Sequence, residues 1–488
     1  MAQLLFLAGL YAVGVMFGLL FKHQLPVVLI ASTGFLWGAL IWVSGGLILL
    51  TASIPYTPLS MFLLMIGLGV GLGLIHVRNK TWQLSRTELK ELLPIVLIVL
   101  LGLILAGMYN FSIASTDSII YIIAGRRIAY EGFSSGVVKE LSLRGVFLPE
   151  LQSASVFLGM DYLYALQPMF LLSFVLVNFS LCKRIISHIL ADDRLAWQLS
   201  VLGNLIYFST YFIVFQAFYI HNSMISAVYL FLAVGGFWLA AKEKNQGWMT
   251  IGILALLGFS LARTEAPLFA IILLALVVSS GQFSYRILLR STLPYLFSLT
   301  AWYLYLLGRM GEGTYILDPA RTLVIIGTLV SFSLLVLLSE QQWIKRLVVP
   351  HLPKFMIGSI LLLLVFQFIQ NPDHMALSFW NTVKNLLYSG RWGITWLMAL
   401  LLVMIVAGGP RVSREYLFYY GISSFFSLLL AISYFRVPYR LGWGDSANRM
   451  STHILPIILM FILMKIAQAL SGAVFMKRSP LTDGEENR

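Results

Sequence analysis

Cysteine and charged residues are scarce in this chain. Its 488 residues include a single cysteine, Cys182, and only 11% are Asp, Glu, Lys or Arg. One cysteine excludes an intramolecular disulfide and a thiolate metal cluster. Soluble globular proteins carry about 25% charged residues. The shortage of charge therefore excludes a cytosolic enzyme, a nucleic-acid-binding domain and a disordered protein.

Long apolar runs take the place of the missing charge. Hydrophobic residues make up 59% of the chain, and the mean hydropathy is +0.88. A membrane-crossing helix needs roughly 20 mostly apolar residues, and fifteen runs come near that length, although 248–262 and 266–281 are short. The sequence therefore predicts an all-α, polytopic transmembrane helix bundle of about 13 to 15 spans. The first run, 3–21, lacks a basic leader and is expected to be a retained helix.

The basic residues indicate an orientation in the membrane. Lys and Arg number 33 against 20 Asp and Glu, a formal net charge of +13. If the first helix begins outside, the alternating loops place 20 basic residues on the cytoplasmic side and 12 on the other side. This asymmetry is typical of membrane proteins, so no nucleic acid is needed as a partner. We expect an integral membrane protein, and the loops and tail favour a bacterial inner membrane.

The longest loop on the non-cytoplasmic side spans residues 114–161. Within it, residues 118–132 carry apolar side chains at helical spacing, and Gly132 is a helix stop signal. This segment is too polar to span a membrane. The sequence therefore predicts an amphipathic helix that lies in the membrane interface.

This loop also organises the chain into three parts. The expected parts are N-terminal transmembrane helices (1–93), a catalytic transmembrane module that contains the loop (94–475), and a disordered cytoplasmic tail (476–488).

Asp117 stands where the fourth apolar run meets the predicted interfacial helix. It could accept backbone N–H bonds as an N-cap, as could Ser115 and Thr116. It could equally act as a general base at the membrane surface. Both interpretations stay open on the sequence alone.

Two charged residues, Arg263 and Glu265, interrupt an apolar stretch of the middle helices. Pro267 suits the first turn of the helix that follows them. Charges facing lipid cost several kcal/mol, so the pair is expected to mark a tight turn and to point into protein or a cavity. A structural ion pair that closes the hairpin is the alternative.

The segment from Asp445 to Pro456 carries a second charged cluster. Arg449 and His453 are four residues apart and therefore share a helix face. An arginine fork with a second donor is a suitable phosphate clamp, and the alternative is an interfacial anchor. His221, in a short loop between two apolar runs, is more often structural than catalytic in such a position.

The order of these motifs resembles the GT-C glycosyltransferases, polytopic enzymes that transfer sugars from polyprenyl-linked donors outside the cytoplasm. The first loop resembles that of the family in its opening acidic residue and in the spacing of the residues in the helix that follows: Asp117, Tyr121, Ala124, Ile128 and Gly132. The Arg263-Thr264-Glu265 turn looks like the [TK]-x-E-[GA] turn of their middle helices. The last motif resembles the D..NRM..H..P ending of bacterial members through Asp445, Asn448, Arg449, His453 and Pro456.

The resemblance covers most of residues 94–475 and implies a membrane-embedded, inverting sugar transferase. It implies that Asp117 takes the acceptor proton and that Arg449, assisted by Arg263 and His453, stabilises the phosphate. Glu265 would orient Arg263 or contact the sugar, and the remaining substrate-binding candidates are Asp445 and His221. The implied partners are membrane lipid, a polyprenyl-phosphate sugar donor and a glycan, lipid or protein acceptor.

One departure from the family bears on cofactors. Many members carry two acidic residues close together in the first loop, whereas here the next carboxylate after Asp117 is Glu131. A divalent metal is therefore not supported, and no cofactor is expected. The rival functions are a transporter or flippase of lipid-linked sugars and a polysaccharide polymerase or ligase.

Overall fold

The computed structural model describes residues 1–79, 83–309, 318–407, 420–421, 423–424, 426–429, 441–442 and 445–478, with side chains as far as residue 471. Within these residues the protein is helical, and no strand is present. The expected all-α class is therefore confirmed. The predicted tail lies outside the described residues from position 479 onward, as do most of residues 408–440.

The first half of the chain contains ten helices that the structure describes. They are α1 Ala2–Leu19, α2 Val27–Thr51, α3 Pro58–Asn79, α4 Arg86–Met108, α5 Thr116–Glu131, α6 Ser135–Arg144, α7 Phe147–Phe157, α8 Leu166–Ser187, α9 Asp193–Phe208 and α10 Tyr211–Phe218.

The second half continues with longer and shorter helices in turn. They are α11 Asn222–Glu243, α12 Gln246–Ala262, α13 Ala266–Ser279, α14 Tyr285–Arg309, α15 Pro319–Leu338, α16 Gln342–Leu347, α17 Leu352–Gln370, α18 Pro372–Lys384, α19 Thr395–Ala407 and α20 Ser446–Arg478.

Nine helical segments in the described part of the chain are long and apolar enough to cross a membrane, which makes this a membrane protein. A tenth span results if α9 and α10, bent by 74° at their junction, are one broken helix. The expected count of 13 to 15 is not confirmed, because α12, α13 and α19 have only 17, 14 and 13 residues and the expected span 416–434 lies largely outside the described residues. Helices that short fall below the roughly 20 residues that a full crossing needs.

Helix α11 forms the centre of the bundle. Every residue from Asn222 to Ala240 is buried, and the helix packs against α8, α12 and α20. Because every face of this helix contacts protein, apolar and small residues occur on all faces and do not form a single stripe. Gly236 allows the backbone of α12 to approach at Gly252. An apolar central helix leaves the ends of the bundle as the place for polar groups.

The N-terminal helices pack directly on the rest of the bundle. Helix α2 contacts both α7 and α8, and the Tyr229 hydroxyl of α11 donates a 2.5 Å hydrogen bond to the carbonyl of Leu36. Helix α4 begins at Arg86 with a capping box formed by Ser85 and Glu88. Residues 93 and 94, between which the module was expected to begin, therefore lie within one helix.

A buried carboxyl group fixes α7 against α2. Glu150 is fully buried, and the Tyr56 hydroxyl donates to its Oε1 at 2.5 Å. Gly46 of α2 leaves room for this carboxyl, because a Cβ at that position would overlap it. Burial raises the pKa of Glu150 to about 8, which favours the neutral form of this carboxyl group at pH 7.

The predicted loop helix is present as α5, which ends where Gly132 adopts φ 61°. Ile119 and Ile123 are exposed on one face, while Tyr121, Ala124 and Ile128 are buried on the other. The placement of this helix in a membrane interface stays a prediction.

Replacing Gly14 by alanine should lower the stability of the bundle. A Cβ at Gly14 would overlap the carbonyl oxygen of Gly34, so α1 and α2 would have to separate. Overpacking of this kind costs about 1–3 kcal/mol, which should appear as a lower thermal unfolding midpoint in detergent. Gly9→Ala on the same helix is the matched control, because nothing lies within 4 Å of its Cβ position. Equal midpoints for the two variants would contradict the close contact of α1 with α2.

Candidate functional site

A cavity of about 110 Å³ lies at one end of the bundle, where several helices begin or end. Its walls include Asp117 and Tyr121 of α5, Arg144 of α6, the turn 263–265 and Arg449 of α20. Five residues that the sequence singled out as site candidates therefore share a cavity: Asp117, His221, Arg263, Glu265 and Arg449. We call this end of the bundle the cavity end.

Asp117 pairs with two arginines from distant parts of the chain. Its Oδ2 lies 2.5 Å from Nη1 of Arg449, and its Oδ1 lies 3.6 Å from Nη2 of Arg144. Ser115, not Asp117, occupies the N-cap position of α5, and Asp117 is the second residue of the helix. Asp117 therefore serves the cavity with its carboxylate and the helix dipole with its position in the first turn.

Arg449 is held in place by the start of α20. Its side chain is only 8% exposed. Asn448, the residue before it, donates to the carbonyl of Gly390 at 2.9 Å and accepts from the indole of Trp392. These bonds fix the first turn of α20 and thereby the direction of Arg449.

Asp445 has a local role at the same helix start. Its Oδ2 accepts the backbone N–H of Ala447 at 3.0 Å, which is the bond of an N-terminal cap. It is not among the described residues that line the cavity. The sequence grouped Asp445 with the substrate-binding residues, and the structure places it at the helix start behind them.

The Arg263–Glu265 turn joins α12 to α13 as the sequence predicted. Arg263 donates to Oε1 of Glu265 from Nε at 2.8 Å and also from Nη2. Thr264 donates to the other carboxylate oxygen at 3.0 Å, and Tyr303 donates to the carbonyl of Thr264 at 3.1 Å. The two alternatives are therefore both realised, since the ion pair closes the hairpin and also lines the cavity.

His221 caps α11 and contacts Tyr121 at the cavity wall. Its Nδ1 accepts the backbone N–H of Ser223 at 3.1 Å, so a neutral ring carries its proton on Nε2. Nε2 lies 3.2 Å from the Tyr121 hydroxyl and donates to it. His221 is thus a helix cap that orients Tyr121, and it also lines the cavity.

His453 lies behind the cavity wall. It is 2% exposed, and its ring meets that of Phe259 edge-on at 6.0 Å. It does not line the cavity, although it shares α20 with Arg449. Its Nε2 has no hydrogen-bond partner among the described residues. A direct contact of His453 with substrate is therefore not part of this geometry.

Arg144 is the cavity residue that sequence reasoning missed. It was counted only as a basic residue of the long loop, yet its guanidinium lies 5.4 Å from the ring centre of Tyr121 and pairs with Asp117. Asn222 donates to its carbonyl at 2.8 Å, and the next peptide docks on α12 through Val146 N–H and the Leu261 carbonyl. The only local signal was an arginine at a helix end followed by Gly145.

The charges of the cavity favour an anionic ligand. Three arginines and two carboxylates line it, so the wall carries one excess positive charge. Forked guanidinium groups suit phosphate oxygens. Within the described residues no group of three His, Cys, Asp or Glu is placed to hold a metal ion. The arrangement can bind a phosphoryl group beside a carboxylate that accepts a proton.

Comparisons with known proteins add no further guide. No protein-family model matches the sequence, and neither a curated protein nor a solved structure matches it. The assignment of a function therefore depends on the residues of the cavity.

Proposed function

We propose that this protein is an integral membrane glycosyltransferase of the GT-C type. It transfers a sugar from a polyprenyl-phosphate-linked donor to an acceptor hydroxyl, with inversion at the anomeric carbon. The observation that carries the proposal is the meeting of Asp117 with Arg449, 332 residues apart in sequence, inside a cavity rich in arginine. Chance would scatter these residues over the ends of many helices.

Asp117 is the proposed general base. The acceptor hydroxyl gives its proton to the Asp117 carboxylate while its oxygen attacks the anomeric carbon of the donor. The bond from that carbon to the phosphate oxygen breaks, and its electron pair stays on the oxygen. The products are a glycosylated acceptor and a polyprenyl phosphate.

The arginines are proposed to hold the phosphate of the donor and of the departing lipid. Charge grows on the phosphate as the glycosidic bond breaks, and donors fixed in advance around it stabilise the transition state. Arg449 and Arg144 face Asp117, and Glu265 holds Arg263 in the same wall. The carboxylate that takes the acceptor proton thus lies next to the arginines that hold the donor phosphate.

A lipid donor fits the position of the cavity. It lies at helix ends, and α5 beside it exposes Ile119 and Ile123. Exposed isoleucines next to a charged cavity suit a ligand that joins a hydrocarbon chain to a phosphate. We place the cavity end on the non-cytoplasmic side of a bacterial inner membrane, from the asymmetry of basic residues.

A flippase or transporter of lipid-linked sugars is the second candidate, favoured by the bend of 74° between α9 and α10. Transporters often bind substrate at such a broken helix. No ionisable residue occupies the break itself, Ser209 and Thr210. The buried arginines Arg263 and Arg449 lie at the cavity end instead, and this favours the enzyme.

Asp117→Asn should lower transfer of sugar by at least about a hundredfold, the loss typical of a missing general base. Asparagine cannot take the acceptor proton at neutral pH. Turnover of purified protein with a polyprenyl-phosphate sugar measures the effect. Glu131→Gln is the matched control, because Glu131 lies on the same helix and pairs with Arg127 instead. Turnover of Asp117→Asn near the wild-type rate would remove Asp117 as the base.

Arg449→Ala should weaken donor binding and turnover together, because a phosphate contact exists in both the ground state and the transition state. Donor affinity and kcat/KM are the quantities to measure. The control is Arg126→Ala, since Arg126 is a half-exposed arginine of α5 paired with Asp161. Unchanged donor affinity in Arg449→Ala would contradict the phosphate clamp.

Cysteines introduced at the two ends of the bundle should label from opposite sides of the membrane. Ser135 at the start of α6 and Arg194 at the start of α9 are both exposed. With the proposed orientation, a membrane-impermeant maleimide should modify Ser135→Cys from outside and Arg194→Cys only after the membrane is opened. The parent protein gives the background, because Cys182 is buried. The reverse pattern of labelling would overturn the orientation.

A further inference from the structure

The Asp117 carboxylate is the anionic group between two arginines of the cavity. It lies between two guanidinium groups, with Arg449 at 2.5 Å and Arg144 at 3.6 Å. We infer that Asp117 is an internal counter-ion of these arginines and that the phosphate of the lipid donor displaces it. The inference rests on the proposed function and specifies the sequence of its steps. The donor binds first, and the Asp117 carboxylate is released from the arginines as a result.

Burial shows which partner of the ion pair can move. The side chain of Arg449 is 8% exposed and that of Asp117 is 33% exposed. A buried guanidinium that loses its counter-charge is strongly destabilised, so Arg449 needs an anion at all times. Asp117, the more exposed of the two, is the partner that the proposal moves once another anion takes its position.

Arg144 has capacity for such an anion. Its Nη2 is 3.6 Å from Asp117, longer than a hydrogen bond between these groups. Its Nε has no hydrogen-bond partner among the described residues although the atom is buried. A guanidinium offers five donors, and an incoming phosphate brings more oxygens than one carboxylate does. The exchange therefore adds contacts to both arginines.

The second ion pair of the cavity is built differently. Arg263 binds a carboxylate two residues away, through Nε and Nη2 on the same oxygen. Both side chains are about as buried as that of Arg449, at 7% and 11% exposure. Both are less exposed than Asp117, so this pair stays closed during the exchange.

The exchange makes the base available only when the donor is present. While Arg449 holds the carboxylate, Oδ2 of Asp117 is bound to the guanidinium and does not face the acceptor hydroxyl. After displacement, Asp117 stands next to the bound phosphate and accepts the proton of the acceptor hydroxyl. The anomeric carbon–oxygen bond then breaks, and the electron pair remains on the phosphate oxygen between Arg449 and Arg144.

Equilibrium binding of a polyprenyl phosphate to the purified full-length chain in lipid nanodiscs tests the displacement. The compared proteins are the wild type, Asp117→Asn, Arg449→Ala and Glu131→Gln. Asp117→Asn should bind at least about tenfold more tightly than the wild type, because the phosphate no longer has to displace a carboxylate. A factor of ten corresponds to about 1.4 kcal/mol. The gain should persist at about 0.5 M salt, because contacts between buried groups are screened little. Glu131→Gln should bind like the wild type.

Folding supplies a second measurement. Asp117→Asn leaves Arg449 without its carboxylate, so its thermal midpoint and yield should fall below those of the wild type. Saturating polyprenyl phosphate during purification should restore both. A fall that the phosphate does not repair would overturn the displacement.

The outcomes separate the inference from the proposed function. If Arg449→Ala weakens binding but Asp117→Asn binds no more tightly than the wild type, the displacement is wrong and the phosphate clamp stands. If the wild type does not bind polyprenyl phosphate, or binds it equally well after Arg449→Ala, the proposed function fails and the displacement fails with it.

Discussion

The ion pair between Asp117 and Arg449 is the contact on which the cavity depends. A buried arginine is tolerated only with a counter-charge, and Asp117 provides it from the first turn of α5. The pair joins the helix of the long loop to the start of α20. Tyr121 follows one turn later on α5, and Arg144 packs over its ring. The positions of the other cavity residues are therefore tied to this one contact.

The membrane explains why the charges lie where they do. Charge inside hydrocarbon is costly, and the central helix α11 is apolar or small along its buried length. Ionisable groups gather at the two ends of the bundle. The cavity holds one set, and the opposite end holds pairs such as Lys22 with Glu88 and Arg184 with Glu243. Among the ion pairs of the described residues, only those at the cavity end combine buried arginines with a partly exposed carboxylate.

Much of this arrangement was predictable from local sequence. Apolar runs indicated a helical membrane protein, Gly132 ended α5, and the Arg263–Glu265 turn followed from two charges in an apolar stretch. The meeting of Asp117 with Arg449 was expected from the family resemblance, which places both residues in one site, and not from local pattern.

The remainder depends on tertiary contacts that local patterns do not encode. Arg144 enters the cavity because the turn after α6 docks on α12 at Leu261. His453 faces Phe259 because of the rotation of α20, which its spacing from Arg449 does not define. Asp445 completes a backbone cap rather than the cavity wall. The span count was not predictable because short apolar helices resemble full spans in composition.

The two ion pairs differ in when they can form as the chain is made. Arg263 and Glu265 are two residues apart, so their pair can close as soon as the hairpin of α12 and α13 exists. Asp117 precedes Arg449 by 332 residues and reaches its principal partner only after α20 has been inserted. The loop helix is therefore synthesised long before the residue that fixes it. The cavity is therefore complete only after α20 has joined the other helices of the bundle.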